Sequence, residues 1–200
     1  RSDDDDSDDD GADKVCVSER TGSAAWNADK PEIGKWVGAD ADSCPDSSLL
    51  PLTNDLTTFE TQIDSLTADG WTAGHLGIAW SWYLISADWD DIWPADSAPL
   101  PKTEPHAVKA VILMTDGQFN TAYESTMGNS NEQAKKMCDE MRDEDVIVYA
   151  VAFQAPSTAK DTLEDCAGDT SRFFDAANGE QLLNAYAAIA SQLSALTIVD

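Results

Sequence analysis

Two kinds of segment alternate through the second half of this chain, and no other feature limits its fold as strongly. Ala107 to Thr115, AVKAVILMT, is a nearly unbroken aliphatic and β-branched run that stops at Asp116-Gly117, the pattern of a strand buried on both faces of a parallel sheet. A helix from about Asn131 to Arg142 follows, then the strand-like run Val146 to Phe153, a short helix from Ser157 to Cys166, a strand from Arg172 to Asp175 and a helix from Gly179 to Leu196. Parallel strands need long crossovers, which helices supply, so the alternation predicts an α/β, doubly wound, mostly parallel sheet with right-handed crossovers. Residues 107–115 are expected to form a central strand. Leu182, Leu183, Tyr186, Ile189, Ala190, Leu193 and Leu196 are expected to form the packed face of the last helix.

Upstream, Thr53 or Asn54 can cap a helix in which Leu56, Phe59, Ile63 and Leu66 recur at spacings of three and four, so one face of it is expected to be core. After Gly70-Trp71-Thr72 comes a strongly apolar helix with Leu76, Ile78, Ala79, Trp82, Tyr83 and Leu84, followed by a Pro-rich loop between Pro94 and Pro105. Residues 1–13, RSDDDDSDDDGAD, repel one another and bury nothing, which marks a disordered tail or linker. The remaining chain, 14–200, reads as one domain: an irregular, disulfide-stapled insertion over 14–52 and an α/β core over 53–200.

Charge and cysteines narrow the function. The chain carries 12 Lys plus Arg against 38 Asp plus Glu, a net −26, which repels the phosphates of nucleic acids and an anionic membrane surface. Cys16, Cys44, Cys138 and Cys166 lack the C-x-x-C spacing of zinc sites, and His75 and His106 are the only histidines to join them. Disulfides fit better, in an oxidising compartment. Four cysteines allow three connectivities; closeness along the chain favours Cys16 with Cys44 and Cys138 with Cys166. No stretch approaches a membrane span, so any export or anchoring signal is expected outside this chain.

Ligands of open parallel sheets sit beyond the carboxyl ends of the strands, where Asp116 stands. Enzyme signatures are absent: there is no G-x-S-x-G, no P-loop, no G-x-G-x-x-G after a strand and no cysteine–histidine pattern. A metal-dependent hydrolase using Asp116 is a remote alternative, because nothing supplies a nucleophile or a phosphate clamp. Neither histidine has an evident partner. Trp71, Trp80, Trp82, Trp89 and Trp93 crowd together; Trp80 and Trp82 are expected in the core, Trp89 and Trp93 at a partner-binding surface.

The run Leu113-Met-Thr-Asp-Gly-Gln-Phe-Asn120 resembles the von Willebrand factor A strand that ends in an Asp of the metal-ion-dependent adhesion site. Gly70-Trp71-Thr72 resembles the loop whose Thr joins that site, 44 residues upstream of Asp116. The segment from Gly70 to Ser86, Val15 to Arg20, Cys44-Pro45, Pro51-Leu-Thr53 and the helix from Gln181 to Leu196 further resemble the TadG-type pilus-assembly proteins of bacterial tight-adherence (Flp) pili. The resemblance implies a non-enzymatic, secreted or envelope module that binds protein in pilus assembly or surface adhesion, on the periplasmic or extracellular side. Its ligands to Mg²⁺, or to Ca²⁺ or Mn²⁺ in its place, would include Thr72 and Asp116, with Gln118 and Asn120 among the partner contacts.

One departure stands out. The family's first strand ends in D-x-S-x-S, and no such motif follows an apolar run here; Asp5-Asp-Ser-Asp-Asp9 lacks the second Ser and the strand before it. The chain is therefore expected to lack the first strand or strands of the domain, leaving residues 108–115 as an exposed edge and the metal site half assembled. A metal-independent scaffold for pilus assembly is the alternative reading.

Overall fold

The computed structural model describes residues 16–31, 39–40, 45, 47–67, 70–105 and 107–196. The acidic tail 1–13, Cys44 and His106 lie outside the described residues. Strand β1 (Cys16–Val17) pairs antiparallel with β2 (Ala39–Asp40), and two helices follow, α1 (Leu56–Asp64) and α2 (Gly74–Ile85). Then come β3 (Ala110–Thr115), α3 (Ser130–Asp143), β4 (Ile147–Phe153), α4 (Ser157–Ala167), β5 (Phe173–Ala176) and α5 (Gly179–Leu196). The three longer strands form a parallel sheet in the order β3-β4-β5, flanked by helices, which is the α/β class expected from the alternation.

Hydrophobic alternation places the layers. Along β4, Val148, Ala150 and Ala152 point into the core shared with α2, α3 and α4, while Tyr149 and Val151 point to Ala185 and Ile189 of α5. All five residues are buried, so β4 is the central strand among the described residues. The run 107–115 occupies the edge instead. Its Val111 and Leu113 are buried, whereas Ile112 and Met114 are exposed, Met114 by 49%. No described strand pairs with the outer side of β3, and that missing neighbour explains the one-sided burial.

Local chemistry sets the helix limits. Asn129 caps α3 in a reciprocal capping box with Glu132, and Ala134, Met137, Cys138 and Met141 form its buried face at helical spacing. The Cys138–Cys166 disulfide joins α3 to α4 across a sequence separation of 28. Arg142 of α3 donates to the carbonyls of Asp165 (3.0 Å) and Cys166 (2.5 Å), so a neighbouring helix satisfies the last turn of α4, and Gly168 closes it in the left-handed region at φ 66°. Cys16 is disulfide-bonded too, while its expected partner Cys44 lies outside the described residues.

Two apolar stripes depart from expectation. Asp55, not Thr53 or Asn54, caps α1, accepting from Thr57 N–H (3.0 Å) and Thr58 Oγ1 (2.7 Å). Nothing in that helix is buried: Leu56 is 73% exposed, and Phe59, Ile63 and Leu66 are exposed as well. Periodicity marked the apolar face of α1, but no described element covers it. The expected face of helix α5 holds in part: Leu182, Ile189 and Leu193 pack with Ala185 against Tyr149 and Val151, while Leu183 (73%), Tyr186, Ala190 and Leu196 are exposed. The Tyr186 hydroxyl reaches Met114 Sδ at 3.2 Å, so α5 overhangs the open edge of β3.

Apolar residues surround α2 on most sides, and His75, Ile78, Ala79, Trp82 and Tyr83 are buried there. The 3₁₀ turn after it folds Trp89 back into the core. At 1% exposure, Trp89 is no surface contact: its ring stacks on Tyr83 with centroids 4.4 Å apart, and its Nε1–H donates to Ala28 O at 2.8 Å. Trp93 is half-buried, with Nε1–H on Tyr83 O at 3.1 Å, and Trp80 packs edge-on against Tyr83, Trp89 and Trp93. Trp82 is buried as expected.

Candidate functional site

Beyond the carboxyl end of β3 the chain runs through an exposed loop, Asp116 to Glu124, before α3. Thr115 Oγ1 accepts from Gly117 N–H at 3.2 Å, turning the backbone sharply at Asp116 and leaving that carboxylate at the surface. Phe119 dives back into the core against the first residue of α2. A Cβ on Gly74 would stand 2.3 Å from that ring, so only glycine lets loop and helix approach this closely.

The loop is tied to the segment before α2. Thr72 N–H donates to Asn120 Oδ1 at 2.9 Å, and Thr72 O accepts from Asn120 N–H (2.9 Å) and Thr121 N–H (3.2 Å). On the other side Asn131 Nδ2 donates to Phe119 O at 3.1 Å, and Asn131 Oδ1 accepts from Thr162 Oγ1 at 3.0 Å. Thr72 and the Asp116 loop, distant in sequence, are thus held in one geometry by backbone and amide bonds on both flanks. The Thr72 hydroxyl does not cap α2, whose N-cap is Ala73 and which has no side-chain cap bond.

Of the site residues inferred from sequence, Thr72, Asn120 and the Asp116 loop come together, and Gln118 is exposed on the same loop. Trp89 and Trp93 belong to the aromatic core. Sequence reasoning counted Trp71 in the tryptophan cluster but preferred Trp89 and Trp93 as surface contacts, whereas Trp71 is 77% exposed beside Thr72; its position outside any helical stripe was the available signal. It also left His75 without a partner, yet His75 is bonded on both ring nitrogens inside the protein, to Glu19 and Ser130.

A hydroxyl at Thr72 and a carboxylate at Asp116 are hard oxygen donors of the kind Mg²⁺ prefers. Two donors do not complete an octahedron, and no group of three or more Asp, Glu, His or Cys suited to a metal occurs among the described residues. The donor chemistry fits the ion, and the number of donors falls short. No described helix is long and apolar enough to cross a membrane.

Residues 97–188 match the family model of the von Willebrand factor type A domain. The match contains β3, the Asp116 loop and most of the layered α/β unit, whereas Thr72 and α2 precede it. Domains of that family are mainly interaction modules, mediating protein–protein contacts and adhesion, and often bind divalent metals. No curated protein matches the chain.

Proposed function

We propose that this chain carries the C-terminal part of a von Willebrand A-type domain and works as an extracytoplasmic protein-binding module, with Thr72 and Asp116 contributing to a metal-ion-dependent adhesion site. The observation that carries this reading is the three-bond tie between Thr72 and Asn120, which fixes a hydroxyl-bearing loop against the Asp116 loop beyond the sheet's carboxyl edge. Exposed Trp71, Gln118 and Asn120 surround that tie and supply the aromatic and amide contacts of a protein interface.

The open side of β3 supports the partial-domain reading. Ile112 and Met114 on the strand are exposed, with Tyr186 of the overhanging helix against Met114, which leaves apolar surface uncovered along the unpaired edge of β3. A strand there would end beside Asp116, where its following loop could bring the missing oxygen donors. Mg²⁺, or Ca²⁺ or Mn²⁺, would supply an open coordination position for an acidic side chain of the partner. The Cys138–Cys166 disulfide supports a periplasmic or extracellular setting, and the resemblance to TadG-type proteins supports a role in pilus assembly or adhesion at the bacterial envelope.

The lack of a three-carboxylate cluster among the described residues favours a second reading, a metal-independent scaffold. Calorimetric titration of Mg²⁺ into the full-length protein separates the two. Saturable binding that disappears in Asp116→Ala supports the adhesion site; no binding, or binding unchanged in the variant, leaves the scaffold.

A further inference from the structure

Helix α1 carries an apolar stripe that no described element covers. Leu56, Phe59, Ile63 and Leu66 are 73%, 48%, 49% and 59% exposed, and no residue of the helix is buried. Their spacings of three, four and three are those of a narrow seam that receives the side chains of one facing helix. Helix α3 gives the contrast, because its buried positions include the adjacent pairs Gln133-Ala134 and Met137-Cys138 and so form the wider face that a layered core requires. The stripe of α1 has no such pairs.

Length makes a cover necessary. A helix of nine residues is shorter than the roughly 12–15 that hold alone in water. What ties α1 down within the chain is polar and lies off the seam: the Asp55 cap, Gln62 Nε2–H on Ser48 O at 2.8 Å and Ser47 Oγ–H on Ser65 O at 3.2 Å. The segment that makes the last two bonds adds exposed Leu49 and Leu52 to the apolar surface.

Charge identifies the occupant. Asp55, one residue before Leu56, and Glu60, one residue after Phe59, take the positions that border the seam on its two sides. No Lys or Arg occurs between Lys35 and Lys102, and Lys30 and Lys102 pair with Asp91 and Glu144. A second copy would set the same acids against these, and a chain of net charge −26 repels its own copies and an anionic lipid surface alike. A cationic border on the facing helix removes that repulsion.

We propose that α1 is a docking surface for an amphipathic helix of another protein, one whose apolar stripe is bordered by Lys or Arg. The inference is independent of the adhesion-site reading, since the surface lies on α1 and needs no metal.

The probe is a pair of labelled synthetic helical peptides with the same Leu/Ile stripe, bordered by Lys in one and by Glu in the other. Each is titrated by fluorescence anisotropy into the full-length protein with EDTA at about 150 mM salt. The Lys peptide should bind saturably and at least about tenfold more tightly than the Glu peptide, and Ile63→Ser should weaken it about tenfold or more. That variant should keep the melting temperature, because α1 buries nothing. Glu60→Lys should narrow or reverse the preference between the peptides.

Equal binding of the two peptides overturns the proposal, and so does binding unchanged by Ile63→Ser, which is adsorption to the acidic surface at large. Failure of both peptides to bind overturns it too; slow amide exchange across α1 in the protein alone would then show cover from within the chain. A dimer that Ile63→Ser converts to monomer in sedimentation, or binding to phosphatidylglycerol vesicles lost in the same variant, would assign the seam to a second copy or to lipid instead. Because chelator is present throughout, a failed Mg²⁺ titration leaves a positive result standing, and failure here leaves the adhesion site untouched.

Discussion

Removing the Cys138–Cys166 bridge should lower stability by an amount that can be worked out beforehand. The half-cystines are fully buried between α3 and α4, 28 residues apart in sequence, with Cα atoms 4.9 Å apart. On the chain-entropy view a cross-link over roughly 29 residues removes about 12 cal/mol/K from the unfolded chain, or about 3.6 kcal/mol at 25 °C. At roughly 2–4 °C per kcal/mol for a chain of this size, the melting temperature should fall by about 7–14 °C. Urea unfolding of Cys138→Ala/Cys166→Ala beside the oxidised protein, followed by far-ultraviolet circular dichroism, checks the figure. The slope should rise as well, because the freed unfolded chain exposes more surface. A loss below about 1 kcal/mol would refute the reasoning and mean that the α3–α4 packing holds without its staple.

Three further outcomes follow from single contacts. Gly74→Ala drives a methyl into the Phe119 ring and should cost about 1–3 kcal/mol; Phe119→Leu in the same chain should recover part of that, and the absence of any recovery would show that the ring is not the obstacle. Trp89→Phe keeps the stack on Tyr83 but loses the bond to Ala28 O, so a loss of about 1–3 kcal/mol is expected in thermal melts, and an unchanged melt would contradict the buried placement. Acid should weaken the fold. For Glu19, burial raises the carboxyl, but backbone N–H bonds and His75 more than offset it and hold the group below its ordinary 4.5; burial holds His75 below its ordinary 6.5. Both groups thus contribute stability that is present above their ordinary values and lost as pH falls, His75 first, below about 6.5, and Glu19 below about 4.5. Urea midpoints that stay flat from neutral pH to pH 4 would refute this.

From β3 onward the sequence made the fold readable, because each segment carries its own period and its own stop. The helices read over Asn131 to Arg142 and Ser157 to Cys166 fall within one residue of α3 and α4 at each end, and the run from Val146 to Phe153 has the unbroken apolar character of a strand covered on both sides. What failed was knowledge of neighbours. The stripe of α1 and the face of α5 were visible as apolar periods, but a period does not say which element will cover it, and on α1 none does among the described residues. The run 107–115 reads by itself as a central strand because Ile112 and Met114 are as apolar as Val111 and Leu113; the missing D-x-S-x-S strand pointed instead to an exposed edge, and the sheet order places β3 there. Trp89 followed the end of a helix in a polar stretch and looked like surface until its turn folded back on Tyr83. The Glu19–His75–Ser130 chain joins residues 55 and 56 positions apart and leaves no local signature.

At the site, the order of Thr72 and Asp116 was legible, and the means of joining them was not. Asn120, first noted only as a partner contact, is the residue whose side chain and backbone hold the two loops together.

Where a divalent ion settles on this protein tests the adhesion-site proposal most directly, since a chain with net charge −26 attracts cations over its whole surface. Paramagnetic broadening of amide signals by trace Mn²⁺ in the full-length protein locates the ion. The expected result is selective broadening at Thr72, Gly117 and Asn120 that is competed away by Mg²⁺ and absent in Asp116→Ala. Broadening confined to the aspartates between Asp3 and Asp10, or unchanged in the variant, would contradict a metal-dependent binding site at the end of β3.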